Sequence, residues 1–377
     1  YSIKKSISEN YSSIDLRKVN AGKDASAYVS VRSLDESVSG SSVTKDVETM
    51  MQMVYLRFVK PRFEETAFKV LKNGLKNSLI SRSKNIGNKM NNKITTTLYG
   101  ENNPKVRMFN QSYIDDVSFE RIKALYAERF GNIGDFEFYI VGDLSIDVLK
   151  PLLEKYIASI PATSNREDWK NNTVNWLNKN TKKEIFLEME DPKSTVRISF
   201  KNKAKFSIKG TFIARALKDI LTLRFTETLR EEEGGTYGAG VSASLNDEPT
   251  EKATLNVSFD CNPEKVDKLV AIVHREIKEV AKGNIKEADL NKSITNFIKE
   301  WKAQQDYNNF DLNVVTLFQR KGINLTNTAE FEKMLNSITV KDVQKFTKKL
   351  LRMLKAISLF SSLRSKKNYA YIYFKNL

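Results

Sequence analysis

The sequence predicts an α+β protein of two related domains, each an antiparallel sheet covered by helices. Three observations carry this. The 377 residues and 43.2 kDa exceed the usual size of a single core. Two stretches match each other at an offset of about 220 residues, so one unit is used twice. Each copy places alternating, strand-like segments before its first long amphipathic helix.

The elements follow in chain order. A helical pattern runs through Tyr1 to Glu9, and the chain opens inside it without an initiator Met, as expected of a processed or cut fragment. Alternation in Ser26 to Val31 and Glu36 to Ser41 predicts a strand pair. Lys45 to Lys60 spaces its apolar residues by three and four and reads as a helix, the counterpart of Glu264 to Lys282. Arg62-Phe63-Glu64-Glu65 opens a second helix, as Asn284-Ile285-Lys286-Glu287 does in the later copy. Helices also begin behind Ser118 and Thr339, whose hydroxyls can take up free amides. Phe136 to Asp143 reads as a strand closing into a turn before a helix over Val148 to Ile157.

Pro161 to Lys183 is polar and lacks sustained periodicity, so it is read as a linker whose Trp169 and Trp176 pin it to domain surfaces. The expected divisions are residues 1–163, a linker at 164–183, and 184–377. In the second domain Thr211 to Glu232 predicts a long helix with a broad apolar stripe, stopped by Gly234-Gly235. Thr236 to Leu245 and Ala253 to Cys261 form a hairpin. A short strand is expected near Ala356 to Ser361, within a basic tail, and a last one at Ala370 to Phe374.

Composition narrows the function. The formal charge is +16, yet the basic residues are scattered, and clusters such as Lys182-Lys183 and Lys348-Lys349 lack interleaved aromatics. A solvated surface explains them better than a nucleic-acid-binding module. Cys261 is alone, which rules out an internal disulfide and a Cys/His structural zinc site. No apolar stretch approaches the ~20 residues that span a bilayer, and residues 1–20 hold no signal-peptide core. His274, the only histidine, lies mid-helix between apolar positions and reads as a packed or surface residue. Glu276 and Glu279 do not share its helix face.

The most informative run is Leu229 to Gly240, which sets Arg230 and Tyr237 seven residues apart across a helix-to-strand turn. Glu231, Glu232 and Glu233 crowd the last helical turn, where the helix dipole disfavours each by roughly 0.3–1 kcal/mol. Such a mismatch is read either as a frayed acidic end or as a charge network with Arg230. Past the turn, Ala239, Val241, Ala243 and Leu245 share one face of the strand, and Gly238, Gly240, Ser242 and Ser244 the other. Spacing alone allows Tyr237 to be a core residue or a phenol facing a cleft, able to donate to a developing oxyanion.

Arg230, Tyr237, Leu229 and Gly238 resemble the R-x6-Y-G element in the carboxy-terminal half of insulinase/pitrilysin-type zinc peptidases, the inverzincins. Leu98-Tyr99-Gly100, Ser118 to Val148 and Leu16 to Ser42 also read like that family, and the resemblance covers nearly the whole chain. It implies the third and fourth domains of a four-domain enzyme, with the opening strands of the third missing. An exposed sheet edge there would invite pairing with another chain. It also implies an absent catalytic half whose H-x-x-E-H helix binds zinc, a motif this sequence lacks. Arg230 and Tyr237 would then grip the peptide and stabilise the tetrahedral intermediate, with Gly238 beside them in substrate binding. This chain alone would bind no zinc and be inert. Its partners would be the catalytic half, in the same chain or a separate subunit, and a peptide. A stand-alone noncatalytic subunit of a heterodimeric processing peptidase is the alternative. The resemblance also implies the periplasm or cell envelope as its location.

Overall fold

The computed structural model describes residues 15, 18–176, 181–187, 193–352 and 355–363, with backbone alone at 181–187, 352 and 355–363. The expected helix at Tyr1 to Glu9 and strand at Ala370 to Phe374 lie outside the described residues. Contacts divide the chain into two compact units, Tyr1–Lys84 with Arg107–Lys170, and Asn85–Val106 with Asn171–Leu377.

Unit 1 begins with the hairpin β1 (Ala25–Val31) and β2 (Glu36–Ser42), paired antiparallel with Ala27 opposite Gly40 and Val29 opposite Val38. A single 3-10 turn, Thr44–Asp46, leads into α1 (Val47–Val59). Asp46 turns back to accept the Asp24 amide at 2.8 Å, which ties the start of the helix to the strand. Val54 and Phe58 of α1 press on Ala27 and Val29, and the cluster is completed by Tyr126, Phe130, Ile133 and Ile160. The remaining helices are α2 (Glu65–Lys84), α4 (Gln111–Asp115), α5 (Phe119–Phe130) and α6 (Ile146–Tyr156); α3 (Ile86–Tyr99) belongs to unit 2. Ser118 caps α5 as expected, accepting the Arg121 amide at 3.0 Å.

Glu48 docks α6 onto α1. Its Oε1 accepts from the Tyr156 hydroxyl at 2.7 Å and from Lys155 Nζ at 3.0 Å. The Tyr156 hydrogen bond, followed by the Lys155 one, holds the carboxyl below its ordinary value of 4.5. A lowered folded pKa adds stability above the unfolded value, and that stability is lost as pH falls through the folded one. Melting temperatures of the native chain and Glu48→Gln, followed from about pH 6 to about pH 3, are expected to converge below pH 4.5. A constant gap across that range would remove Glu48 from the acid response.

Unit 2 holds a five-stranded sheet in the order β3-β7-β4-β6-β5, formed by β3 (Thr181–Leu187), β4 (Ser194–Lys203), β5 (Ala239–Asn246), β6 (Lys252–Cys261) and β7 (Lys355–Leu363). All neighbours are antiparallel except β3 and β7, which run parallel. A parallel pair needs a long crossover, and here nearly the whole unit lies between the two strands. Strand β4 alternates strictly. Val196, Ile198 and Phe200 are buried at 1% exposure or less, opposite Phe259, Val257 and Leu255 of β6.

That apolar face packs with α7 (Ile208–Phe225), α8 (Val266–Lys282), α9 (Glu287–Gln304), α11 (Thr328–Asn336) and α12 (Val340–Arg352), while α10 (Asn308–Lys321) follows α9. Each fully buried Leu, Ile or Phe there contributes ~1.5–3 kcal/mol of burial free energy. Thr339 and Asp342 form a reciprocal cap at the start of α12, each accepting the other's amide at 3.3 and 3.0 Å. The opposite sheet face is polar where Arg197 donates to Asn91 of α3 at 2.7 Å. Trp176 donates from Nε1 to the Tyr99 hydroxyl at 3.1 Å and lies under Lys201. Trp176 is thus held within unit 2, whereas Trp169 is 57% exposed.

The repeat holds at the level of elements. β2, a 3-10 turn and α1 recur as β6, the turn Pro263–Lys265 and α8, shifted by about 220 residues. The predicted strand at Phe136 to Asp143 differs, because no described strand pairs with it.

Candidate functional site

The site is built on the end of α7. Ser207 caps its start, accepting the Gly210 amide at 3.0 Å. Ala214, Leu217, Ile220, Leu221 and Phe225 form its buried stripe. The sequence predicts one helix to Glu232, but the α-helix ends at Phe225 and residues Thr226–Glu232 form a π turn. Back-bonding threonines supply a cause. The Thr226 and Thr228 hydroxyls donate to the carbonyls of Thr222 and Arg224 at 2.9 and 2.8 Å, competing with the amides that an α-helix would place there. Single π turns recur at functional sites because they re-aim the side chains that follow.

Both flanks of the turn are fixed. Before it, Arg224 pairs with the buried Glu276 of α8 at 2.7 Å and also donates to the Asn284 carbonyl. Within it, Leu229 is fully buried. After it, Gly234 adopts φ +51°, and its amide donates to the Arg230 carbonyl at 3.0 Å; the Gly235 amide reaches the Leu229 carbonyl at 3.0 Å. Gly235 sits so close to α8 that a Cβ would stand 2.7 Å from a methyl of the fully buried Leu269. The glycine pair thus has two separate causes, a left-handed backbone and a close approach.

The acidic helix end is answered from α8 and the turn before it. Lys265 Nζ donates to the carbonyls of Glu233 and Gly234 at 3.1 and 3.4 Å, and Lys268 pairs with the Glu233 carboxylate at 2.6 Å. The glutamate that is engaged therefore pairs with lysine, and the expected network between the glutamates and Arg230 does not form. Arg230 is exposed and has no ion pair among the described residues.

Tyr237 is fully exposed, which removes the core reading. Thr236 holds the loop around it: its hydroxyl donates to the Gly238 carbonyl at 3.0 Å and accepts the Gly238 amide at 3.3 Å. A side chain at Gly238 would meet nothing within 4 Å, and the chain leads from it into β5, the edge strand of the sheet. From there a polar ladder crosses the sheet. Ser199 donates to Asn256, Asn256 donates to Ser242, and Ser244 bonds Thr254 at 2.8 Å. The structure thus presents an exposed guanidinium and an exposed phenol at the two ends of one anchored turn, beside a hydroxyl- and amide-rich sheet face. Such groups can bind a peptide backbone and donate to a carbonyl oxygen.

Lys265, Lys268 and Thr236 are missed by sequence reasoning. The two lysines come from a segment about thirty residues later, and only tertiary packing brings them to the helix end. Thr236 carried a local signal, a hydroxyl residue directly before an exposed tyrosine and glycine.

Among the described residues no three His, Cys, Asp or Glu side chains gather as a metal-holding group. His274 meets Phe200 edge-on at 6.1 Å between ring centres. Cys261 lies in β6, where burial first, and then the neighbouring Asp260 charge, push its thiol up to about 12. It packs in the core of unit 2.

Residues 116–297 match the family described as Peptidase M16 inactive domain. The chain is 22% identical over 189 residues to the probable zinc protease PqqL of Haemophilus influenzae, covering 50% of this chain and 20% of that protein. It thus spans about a fifth of that relative's length. The crystal structure of the periplasmic protease PqqL from Escherichia coli superposes with a TM-score of 0.82 at 20% identity, over 97% of this chain and 40% of that one. A peptidase M16 inactive domain from Pseudomonas fluorescens superposes with a TM-score of 0.72 at 15% identity, over 97% of this chain and 87% of that one. No described helix is long and apolar enough to cross a membrane. The chain therefore contains a peptidase M16 inactive domain, set in a fold that it shares with M16-family proteases.

Proposed function

We propose that this chain is the substrate-clamping half of a zinc endopeptidase, built from two related domains and working in the periplasm or cell envelope beside a zinc-bearing half. The observation that carries the reading is the pair Arg230 and Tyr237: both are exposed, Arg230 has no ion pair among the described residues, and the turn between them is anchored at Arg224, Leu229 and Gly235. A guanidinium held in this way grips a peptide carbonyl. A phenol donates to the oxyanion that develops when water attacks that carbonyl, and one such donor is worth about 3 kcal/mol in rate. Gly238 leaves room for the peptide backbone beside the phenol. Zinc and the attacking water belong to the other half.

Fragment complementation tests the reading. The chain alone is expected to leave an extended peptide uncut, and mixing it with its zinc-bearing half is expected to start hydrolysis. Equal cleavage by the zinc-bearing half with and without this chain would refute the clamp.

A stand-alone noncatalytic subunit of a heterodimeric processing peptidase is the second reading, in keeping with the inactive-domain family that residues 116–297 match. An H-x-x-E-H motif in the same open reading frame decides for the fused enzyme, and its absence decides for the subunit.

A further inference from the structure

We propose that the polar face of the unit 2 sheet is a track for the peptide, and that lysines at its far end select substrates with acidic residues about seven to nine positions from the bond that is cut. The position of that bond rests on the clamp reading; the acidic preference does not.

Strand register builds the lysine cluster. Val196, Ile198 and Phe200 of β4 face the core, so Arg197, Ser199, Lys201 and Lys203 share the opposite face. In β6 the buried residues are Ala253, Leu255, Val257 and Phe259, which puts Lys252 on that same polar face, directly opposite Lys203. Like charges so placed destabilise a sheet. Lys355 of β7 stands opposite Lys201, and Lys201 lies over the Trp176 ring at 5.0 Å. The acids nearest in sequence are engaged elsewhere: Glu251 accepts the Phe206 amide at 2.9 Å, and Asp247 pairs with Lys321. Asp260, on the same face as Lys252, lies at the other end of the strand and pairs with Lys193 at 2.6 Å. Folding gains nothing from lysine opposite lysine, and a mismatch of this kind points to a ligand of opposite charge.

Tyr237 and the lysines stand at opposite ends of the sheet. Strand β5 runs from Ala239, just past the Tyr237 loop, to Asn246, which is in register with Lys252. At ~3.3 Å per residue the two ends are ~23 Å apart. The ladder of Ser199, Asn256, Ser242, Ser244 and Thr254 lies between them. Its hydroxyls and amides can exchange hydrogen bonds with any peptide backbone. A nucleic-acid track would instead set aromatic platforms there for the bases to stack on. An extended peptide gripped at Tyr237 therefore carries its more distant side chains over the lysines, where carboxylates are attracted and ammonium groups repelled.

Fluorescence anisotropy tests the preference without cleavage, using the 377-residue chain and a labelled extended peptide ending in three glutamates or in three glutamines. The glutamate peptide is expected to bind roughly tenfold more tightly. Lys203→Glu with Lys252→Glu is expected to abolish that advantage and to favour a peptide ending in three lysines, which also shows that the variant is folded. Lys292→Glu with Lys299→Glu, at exposed sites on α9, has the same net charge and is expected to keep it. No preference in the native chain, or equal loss in both double variants, would overturn the proposal. So would tighter binding of a single-stranded oligonucleotide of equal charge. In the enzyme reconstituted with its zinc-bearing half, cuts are expected about seven to nine residues from the glutamates, and scattered cut sites would overturn the track. Absence of all cleavage would refute the clamp, while the anisotropy result would still decide the acidic preference.

Discussion

Leu229→Ala is expected to destabilise unit 2 by about 2–5 kcal/mol, the range for emptying a fully buried leucine site. The upper part of that range applies where the surroundings cannot relax into the cavity. Here the Arg224–Glu276 ion pair holds the chain before Leu229, and the contact of Gly235 with Leu269 holds it after. Urea unfolding followed by tryptophan fluorescence, which reports Trp176 and Trp301 in this unit, measures the change. A midpoint within error of the native chain would show that the π turn is not anchored through its core side. Because Leu229 directly precedes Arg230, the same variant is expected to lose clamping even at low temperature, where the unit stays folded.

Tyr237→Phe has the opposite profile. The ring and backbone stay and only the hydroxyl is lost; since the side chain is fully exposed, stability is expected to change by less than about 0.5 kcal/mol. In the enzyme reconstituted with its zinc-bearing half, kcat is expected to fall roughly tenfold to a thousandfold with little change in KM, because the donor acts on charge present only in the transition state. A rise in KM with unchanged kcat would reassign the phenol to ordinary substrate binding.

Much of the fold was legible because its cores are patterned simply. Strand β6 alternates buried and half-buried residues almost without a break, and α8 puts Leu269, Val273, Ile277 and Val280 on one stripe. Period alone separates the two. Arg230 and Tyr237 were singled out by their resemblance to an R-x6-Y-G element, whereas the exposure of Tyr237 was left open by its spacing. The π turn was hidden because it arises from threonine hydroxyls competing for carbonyls, which leaves no mark on hydrophobic period. Residues 136–141 misled for a different reason. Their β propensity is real, but a strand also needs a neighbour, and propensity says nothing of one. The lysines that neutralise the acidic helix end were invisible because local sequence cannot show which distant segment arrives there.

The claim that Arg230 and Tyr237 act together on a bound peptide is tested most directly by single-turnover hydrolysis with the doubly substituted Arg230→Ala, Tyr237→Phe chain, with its association to the zinc-bearing half measured in the same sample. The account predicts normal association and a rate lowered at least as far as by Tyr237→Phe alone. Normal association with the native rate would contradict it.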